Sequence, residues 1–164
     1  MNLKSKNFWS TVMIVLIVAF DQFTKYLVKL YLYGKPPVTF VKGVVEFRYA
    51  ENTGVAFSMF SGGRWFFIVL TAVVSVGCLV YMYKSKTAQN NLWLFWSLGV
   101  IVSGAIGNLI DRVLLGYVVD FINPLFVKFA VFNIADSAVT LGTVSLMAYL
   151  VYDLFREKKN EQKH

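Results

Sequence analysis

The chain has 164 residues, 57% of them hydrophobic and 15% charged, with a mean hydropathy of +0.60 and a formal net charge of +7. A typical soluble domain carries roughly 25% charged residues, and a chain this small cannot hide so much apolar surface in a core of its own. Water is thereby excluded as its main solvent, and the length suits one membrane-embedded domain over residues 1–164.

The first predicted element is an apolar run from Phe8 to Phe20 that continues into Asp21-Gln22-Phe23-Thr24-Lys25. Lys4 and Lys6 ahead of it resemble the start of a secretory signal peptide, but no small-residue cleavage site follows Phe20, so a retained helix is predicted. That helix can span a bilayer only if Asp21 lies inside it or at its rim. Pro36-Pro37 forbids its continuation. Val38 to Tyr49 is rich in β-branched and aromatic residues, turns at Lys42-Gly43 and alternates apolar with charged side chains from Val45 onward, which predicts a small β-hairpin or sheet. An open sheet edge is not tolerated in hydrocarbon, so this element belongs at the membrane surface.

Trp65 to Tyr83 and Leu92 to Ile110 carry no charge and are long enough to span. Phe121 to Phe132 is apolar but broken by Pro124, and reads as an interfacial stretch too short to cross. Ser137 to Tyr152 is again uncharged and completes a fourth span if its helix begins near Phe132 or Asp136. The expected fold is an all-α integral membrane protein, with four transmembrane helices and a small extracytoplasmic β-sheet or cradle between helices 1 and 2.

Lys4 and Lys6, then Lys84 and Lys86, then Arg156, Lys158, Lys159 and Lys163 fall in three segments on one side of such a bundle. The basic bias predicts both termini in the cytoplasm, and it assigns the positive charge to topology and lipid headgroups rather than to nucleic acid. Cys78 is the lone cysteine, so no intrachain disulfide is available.

The candidate chemistry lies late in the chain. Gly99, Ser103 and Gly107 form a small-residue stripe for close helix packing. Beyond it, Asn108, Asp111 and Arg112 share one face, where Asp111 and Arg112 are expected to form a structural ion pair. Asp120 and Asp136 sit in apolar frames at one membrane edge. Separately, Asp120 reads as a solvated loop residue and Asp136 as an N-cap. Together they read as a carboxylate pair in which one member keeps its proton and the other stays charged, enough to activate a water and protonate a leaving amine. The residue inventory removes the other routes: His164 is the single histidine and lies on the terminal tail, and Cys78 is deep in an uncharged run. No histidine- or thiolate-held metal and no cofactor are expected. The rival readings are a proton- or cation-coupled transporter, for which the edge position and the lack of repeated halves are unfavourable, and a non-enzymatic scaffold.

Five blocks in order then resemble a known family: Asp21-Gln-Phe-Thr-Lys25, Asn52-Thr-Gly-Val-Ala-Phe57, Gly107-Asn-Leu-Ile-Asp-Arg112, Val119-Asp-Phe121 and Phe132-Asn-Ile-Ala-Asp136. The chain resembles the bacterial lipoprotein signal peptidases (signal peptidase II), a family of membrane aspartyl proteases. The resemblance implies cleavage of prolipoprotein signal peptides just before a diacylglyceryl-modified cysteine, with Asp120 and Asp136 as the catalytic dyad. It implies that Asn52, Gly54, Asn108, Asp111, Arg112, Asn133 and Ala135 shape and support the site, with Asp21 and Lys25 supporting it from the first span. Asn108 and Arg112 are suited to bind substrate carbonyls, and Asn133, one turn from Asp136, to orient that carboxylate. Membrane lipids are the other expected partner; oligomeric state is left open.

Overall fold

The computed structural model of the chain describes residues 2–54 and 63–161. Helix α1 (Leu3–Leu32) starts where Asn2 Oδ1 accepts the Ser5 N–H at 2.8 Å, and it ends ahead of Gly34 and the Pro36-Pro37 pair. Strands β1 (Val38–Val41) and β2 (Val45–Asn52) follow, joined through Gly43 at φ 76°. Helix α2 (Gly63–Lys84) leads through the short α3 (Lys86–Asn90) into α4 (Leu92–Leu114). Strand β3 (Val118–Pro124) and helix α5 (Ile134–Glu161) complete the order.

Four of these helices, α1, α2, α4 and α5, are long and apolar enough to cross a membrane. Their outward side chains, among them Leu16, Val73, Leu141 and Phe155, are exposed hydrophobics that suit a lipid solvent. Helix α4 is the central one, packed against α1, α2 and α5. Its small residues permit the closest approaches. A Cβ on Gly104 would stand 2.2 Å from the Ala135 carbonyl of α5, and one on Gly107 would stand 2.7 Å from the Asp21 carboxylate of α1. Gly99 meets Met13 of α1, so the predicted stripe is a packing surface as expected, and Gly104 extends it toward α5.

The strands form one antiparallel sheet in the order β1-β2-β3, with Thr39 opposite Glu46, Phe47 opposite Ile122 and Ala50 opposite Asp120. The sheet lies at the end of the bundle where α1 and α4 finish and α2 and α5 begin, and Val28, Val119 and Phe121 form a small core beneath it.

One expectation needs correction. The sheet is not confined to the segment between the first two spans: Phe121 to Pro124, expected as an interfacial stretch, is the end of its third strand. Val118 to Phe121 are all buried, so the period-two alternation that reveals a half-buried strand is absent, and Pro124 falls at the last strand position, where a missing N–H is tolerated. The charged tail past Tyr152 stays helical to Glu161. The link between the second and third spans contains α3, capped by Ser85.

Candidate active site

Helix α1 carries Asp21 and Lys25 one turn apart, with Asp21 0% and Lys25 3% exposed. The Lys25 ammonium lies 2.9 Å from Asp21 Oδ2, 3.0 Å from Asp111 Oδ2 and 3.0 Å from Asn108 Oδ1. Two buried carboxylates and one ammonium would be costly to desolvate separately; the ammonium placed between the two carboxylates offsets part of that cost. Their remaining lone pairs are filled. Asp21 Oδ1 accepts the Ala135 N–H at 2.8 Å, Asp111 Oδ2 accepts the Val119 N–H at 3.0 Å, and Gln22 Nε2 reaches Asp111 Oδ1 at 2.9 Å and the Gly107 carbonyl at 3.1 Å. This network ties α1, α4, β3 and the start of α5 to one another.

The expected Asp111–Arg112 pair is not formed: the partner of Asp111 is Lys25, from another helix. Helical spacing places neighbours on one face, but here that face turns Asp111 toward α1. Arg112 instead donates to the Asn108 carbonyl at 3.3 Å, and its guanidinium lies 5.7 Å from the Phe67 ring centroid.

Asn133 precedes α5, and its Oδ1 accepts the Asp136 N–H at 2.8 Å while Asp136 Oδ2 accepts the Asn133 N–H at 3.2 Å. This is a reciprocal capping box. Asn133 is therefore the cap and Asp136 its acidic partner, the reverse of the simplest reading of Asp136. The same asparagine donates Nδ2 to Asp120 Oδ1 at 2.6 Å, so one residue joins both carboxylates, Asp120 through its side chain and Asp136 through its backbone N–H. Asp120 reaches this position because β3 pairs with β2, whose last residue, Asn52, donates Nδ2 to Asp120 Oδ2 at 2.9 Å.

Three amides thus face the two carboxylates, and each has its polarity set elsewhere. Asn52 Oδ1 accepts the Gly54 N–H at 2.9 Å, a turn that holds Gly54 at φ +79° beside Phe67. Asn108 Oδ1 accepts from Lys25 and from Asn133 Nδ2 at 3.1 Å, which leaves its Nδ2 to bind Asp136 Oδ1 at 2.7 Å. Asn133 Oδ1 is held by the cap. An amide whose oxygen is taken presents only N–H groups on its other side. Asn108 thus has a supporting contact to Asp136 and also stands in the wall of a cavity.

Asp120 is 1% exposed. Burial pushes its carboxyl up to about 6 and the Asp136 charge adds to the rise, while the Asn52 and Asn133 hydrogen bonds and Lys25 oppose it. Asp136 is half-buried and lines two cavities that meet at it. One, of about 370 Å³, lies between α2, α4 and α5, with Val74, Ala105, Asn108, Arg112 and Val139 on its walls. The other, of about 640 Å³, runs between Asn52, Phe129 to Phe132, and Thr140 and Leu141 of α5. Among the described residues no group of three or more His, Cys, Asp or Glu side chains is disposed to hold a metal ion.

Every expected site residue is therefore either on a carboxylate, on the Lys25 network or against one of these two. Ala135 contributes its backbone N–H to Asp21 and its carbonyl to the contact with Gly104. Val55, Ala56 and Phe57 of the second sequence block, and His164, lie outside the described residues. Sequence reasoning assigned no role to Gln22, although it stands inside a quoted block. It also passed over Arg64, which donates to the Arg112 and Val113 carbonyls at 2.9 and 2.8 Å and so caps the end of α4.

The four apolar helices with a small sheet at one end have the architecture of a multi-pass membrane protein. A family model described as signal peptidase (SPase) II matches residues 13–152, and the chain belongs to that family. It is 39% identical over 137 residues to the lipoprotein signal peptidase of Streptococcus pyogenes serotype M1, spanning 84% of this chain and 89% of that protein. It is 40% identical over 139 residues to that of Streptococcus thermophilus strain CNRZ 1066, spanning 85% and 90%. A bacterial membrane enzyme solved in meso at 1.9 Å superposes with a TM-score of 0.82 at 33% identity, covering 88% of this chain and 93% of that one. Another, at 2.3 Å, gives 0.78 at 32% identity, with 88% of each chain covered. The protein is a bacterial membrane protease of aspartic type that acts in lipoprotein signal-peptide processing.

Two outcomes follow for stability. Lys25→Met strands two buried carboxylates and is expected to cost about 3–5 kcal/mol, read as a lowered Tm in detergent. Asp120 binds its proton more tightly folded than unfolded, so its stabilising contribution is complete below about pH 4 and is lost as pH rises through about 6. The loss is on the order of 2 kcal/mol; a Tm–pH series checks it, and Asp120→Asn flattens that part of the curve.

Proposed function

We propose that Asp120 and Asp136 are the catalytic dyad, and that the reaction is hydrolysis of the amide bond preceding a diacylglyceryl-modified cysteine in a prolipoprotein. The observation that carries this reading is the Asn133 bridge, which binds Asp120 through its side chain and Asp136 through its backbone. Two carboxylates held this way share one proton, because ionising both in a buried site is unfavourable. The ionised member takes a proton from an attacking water, while the protonated member hydrogen-bonds the scissile carbonyl. The same pair then returns a proton to the amine that leaves, so no group outside the dyad is needed to balance the step. The amide donors from Asn52, Asn108 and Asn133 keep the carboxylates from rotating out of register while charge moves between them.

Substrate access is supported by the two cavities that meet at Asp136. Both are largely apolar, suited to a peptide whose lipid remains in the bilayer. Arg112, with no carboxylate partner in an ion pair among the described residues, stands in the same cavity wall as Asp136 and serves to bind a substrate carbonyl. The bundle lies with both termini in the cytoplasm and the dyad near the outer surface, as the basic residues at the opposite end favour. Alkaline phosphatase fused after His164 should then stay inactive in cells; a fully active fusion would reverse the orientation.

Asp120→Asn and Asp136→Asn are each expected to lower cleavage of a diacylglyceryl-modified prolipoprotein by about 10²–10⁴-fold while the protein still inserts. The measurement is the mobility shift of substrate to product in detergent micelles, alongside membrane levels of each variant. Near wild-type turnover by either variant would remove that aspartate from the dyad.

A further inference from the structure

The end of the bundle away from the carboxylates holds a second buried charge. Lys6 of α1 is 3% exposed, its ammonium donating to the Gln89 carbonyl of α3 and lying 4.4 Å from the centroid of the Phe95 ring. No carboxylate pairs with it among the described residues, where both ion pairs belong to Lys25. One carbonyl and one ring face leave a buried ammonium short of counter-charge.

Lys6 opens onto a cavity of about 510 Å³ whose polar lining is Lys6, Tyr83, Lys84, Lys86, Gln89 and Asn90, three cations with no acid. Gln89 supplies a different need. Its Nε2 donates to the Met82 carbonyl at 3.0 Å, which leaves Oε1 buried with no donor among the described residues. The cavity therefore offers positive charge for an anion and an acceptor for a hydroxyl. It sits where α1 begins and α2 ends, at the level of lipid headgroups for helices of this length.

We propose that this cavity binds the headgroup of an anionic phospholipid, with the phosphodiester on Lys6, Lys84 and Lys86 and a headgroup hydroxyl donating to Gln89 Oε1. Lysines that only set topology need to lie near the membrane; they need not converge on one cavity or bury an ammonium within it. Lys6 also precedes residues 13–152, the stretch matched by the family model. The site is independent of the dyad, being at the other end of the bundle.

The test is the Tm of the full chain in an uncharged maltoside detergent, titrated with dihexanoyl phosphatidylglycerol, dihexanoyl phosphatidylcholine or inorganic phosphate. Phosphatidylglycerol is expected to raise Tm by about 5 °C near saturation, and the other two to leave it unchanged. An equal rise with phosphatidylcholine would overturn the proposal by showing non-specific lipid stabilisation. An equal rise with phosphate would overturn the lipid assignment in favour of a free anion. Because Lys6 is buried and its replacement endangers folding, the decisive variant is Lys84→Gln with Lys86→Gln. It should keep the lipid-free Tm and prolipoprotein cleavage while losing the phosphatidylglycerol shift, and a fully retained shift overturns the site.

Discussion

The ammonium of Lys25 is the fixed point of this protein. It is held by Asp21 on its own helix and by Asp111 and Asn108 on α4, all within 3.0 Å. Removing water from three charges is tolerable because the ammonium lies between the two carboxylates and their other lone pairs are filled by Gln22, Val119 and Ala135. The ammonium also has a directional effect. A lysine has no acceptor, so an amide that hydrogen-bonds to it must present its oxygen. Asn108 therefore turns its carbonyl to Lys25 and its NH₂ to Asp136, and the orientation of an amide across the bundle is decided by a cation on α1.

That logic repeats at Asn52 and Asn133, whose oxygens are taken by the backbone N–H groups of Gly54 and Asp136. The carboxylates are thus surrounded by donors that cannot flip. Electrostatic preorganisation of this kind costs stability, since Asp120 is buried without a cation of its own in contact, and its raised carboxyl reflects that burial. The expense is met by the rest of the bundle, where α4 and α5 approach so closely that Gly104 has no room for a side chain.

Much of this could be read from the chain. Uncharged runs of spanning length mark α2, α4 and α5, and the alternation after Lys42-Gly43 marks the hairpin, because those patterns follow directly from one-sided or all-round burial. The Asp21–Lys25 pair has ordinary i,i+4 spacing, yet the spacing alone does not single it out, and the capping box reads the wrong way round in the sequence, with Asp136 as the cap in place of Asn133. Strand β3 escaped because it is covered on both faces and so shows no alternation. The true partner of Asp111 escaped because periodicity defines a face and not what the face meets. Gly104 escaped because it lies off the four-residue stripe, on the side turned to α5 rather than to α1.

The order of elements along the chain has a consequence for biosynthesis. Lys25, Asp21 and Asp111 belong to the first and third spans, and Asp120 to the strand after them, whereas Asn133 and Asp136 arrive only with the fourth. A nascent chain with three helices inserted has neither the second carboxylate nor the asparagine that joins the pair. The paired carboxylates are therefore assembled only when α5, whose first turn carries Asp136, docks against Gly104.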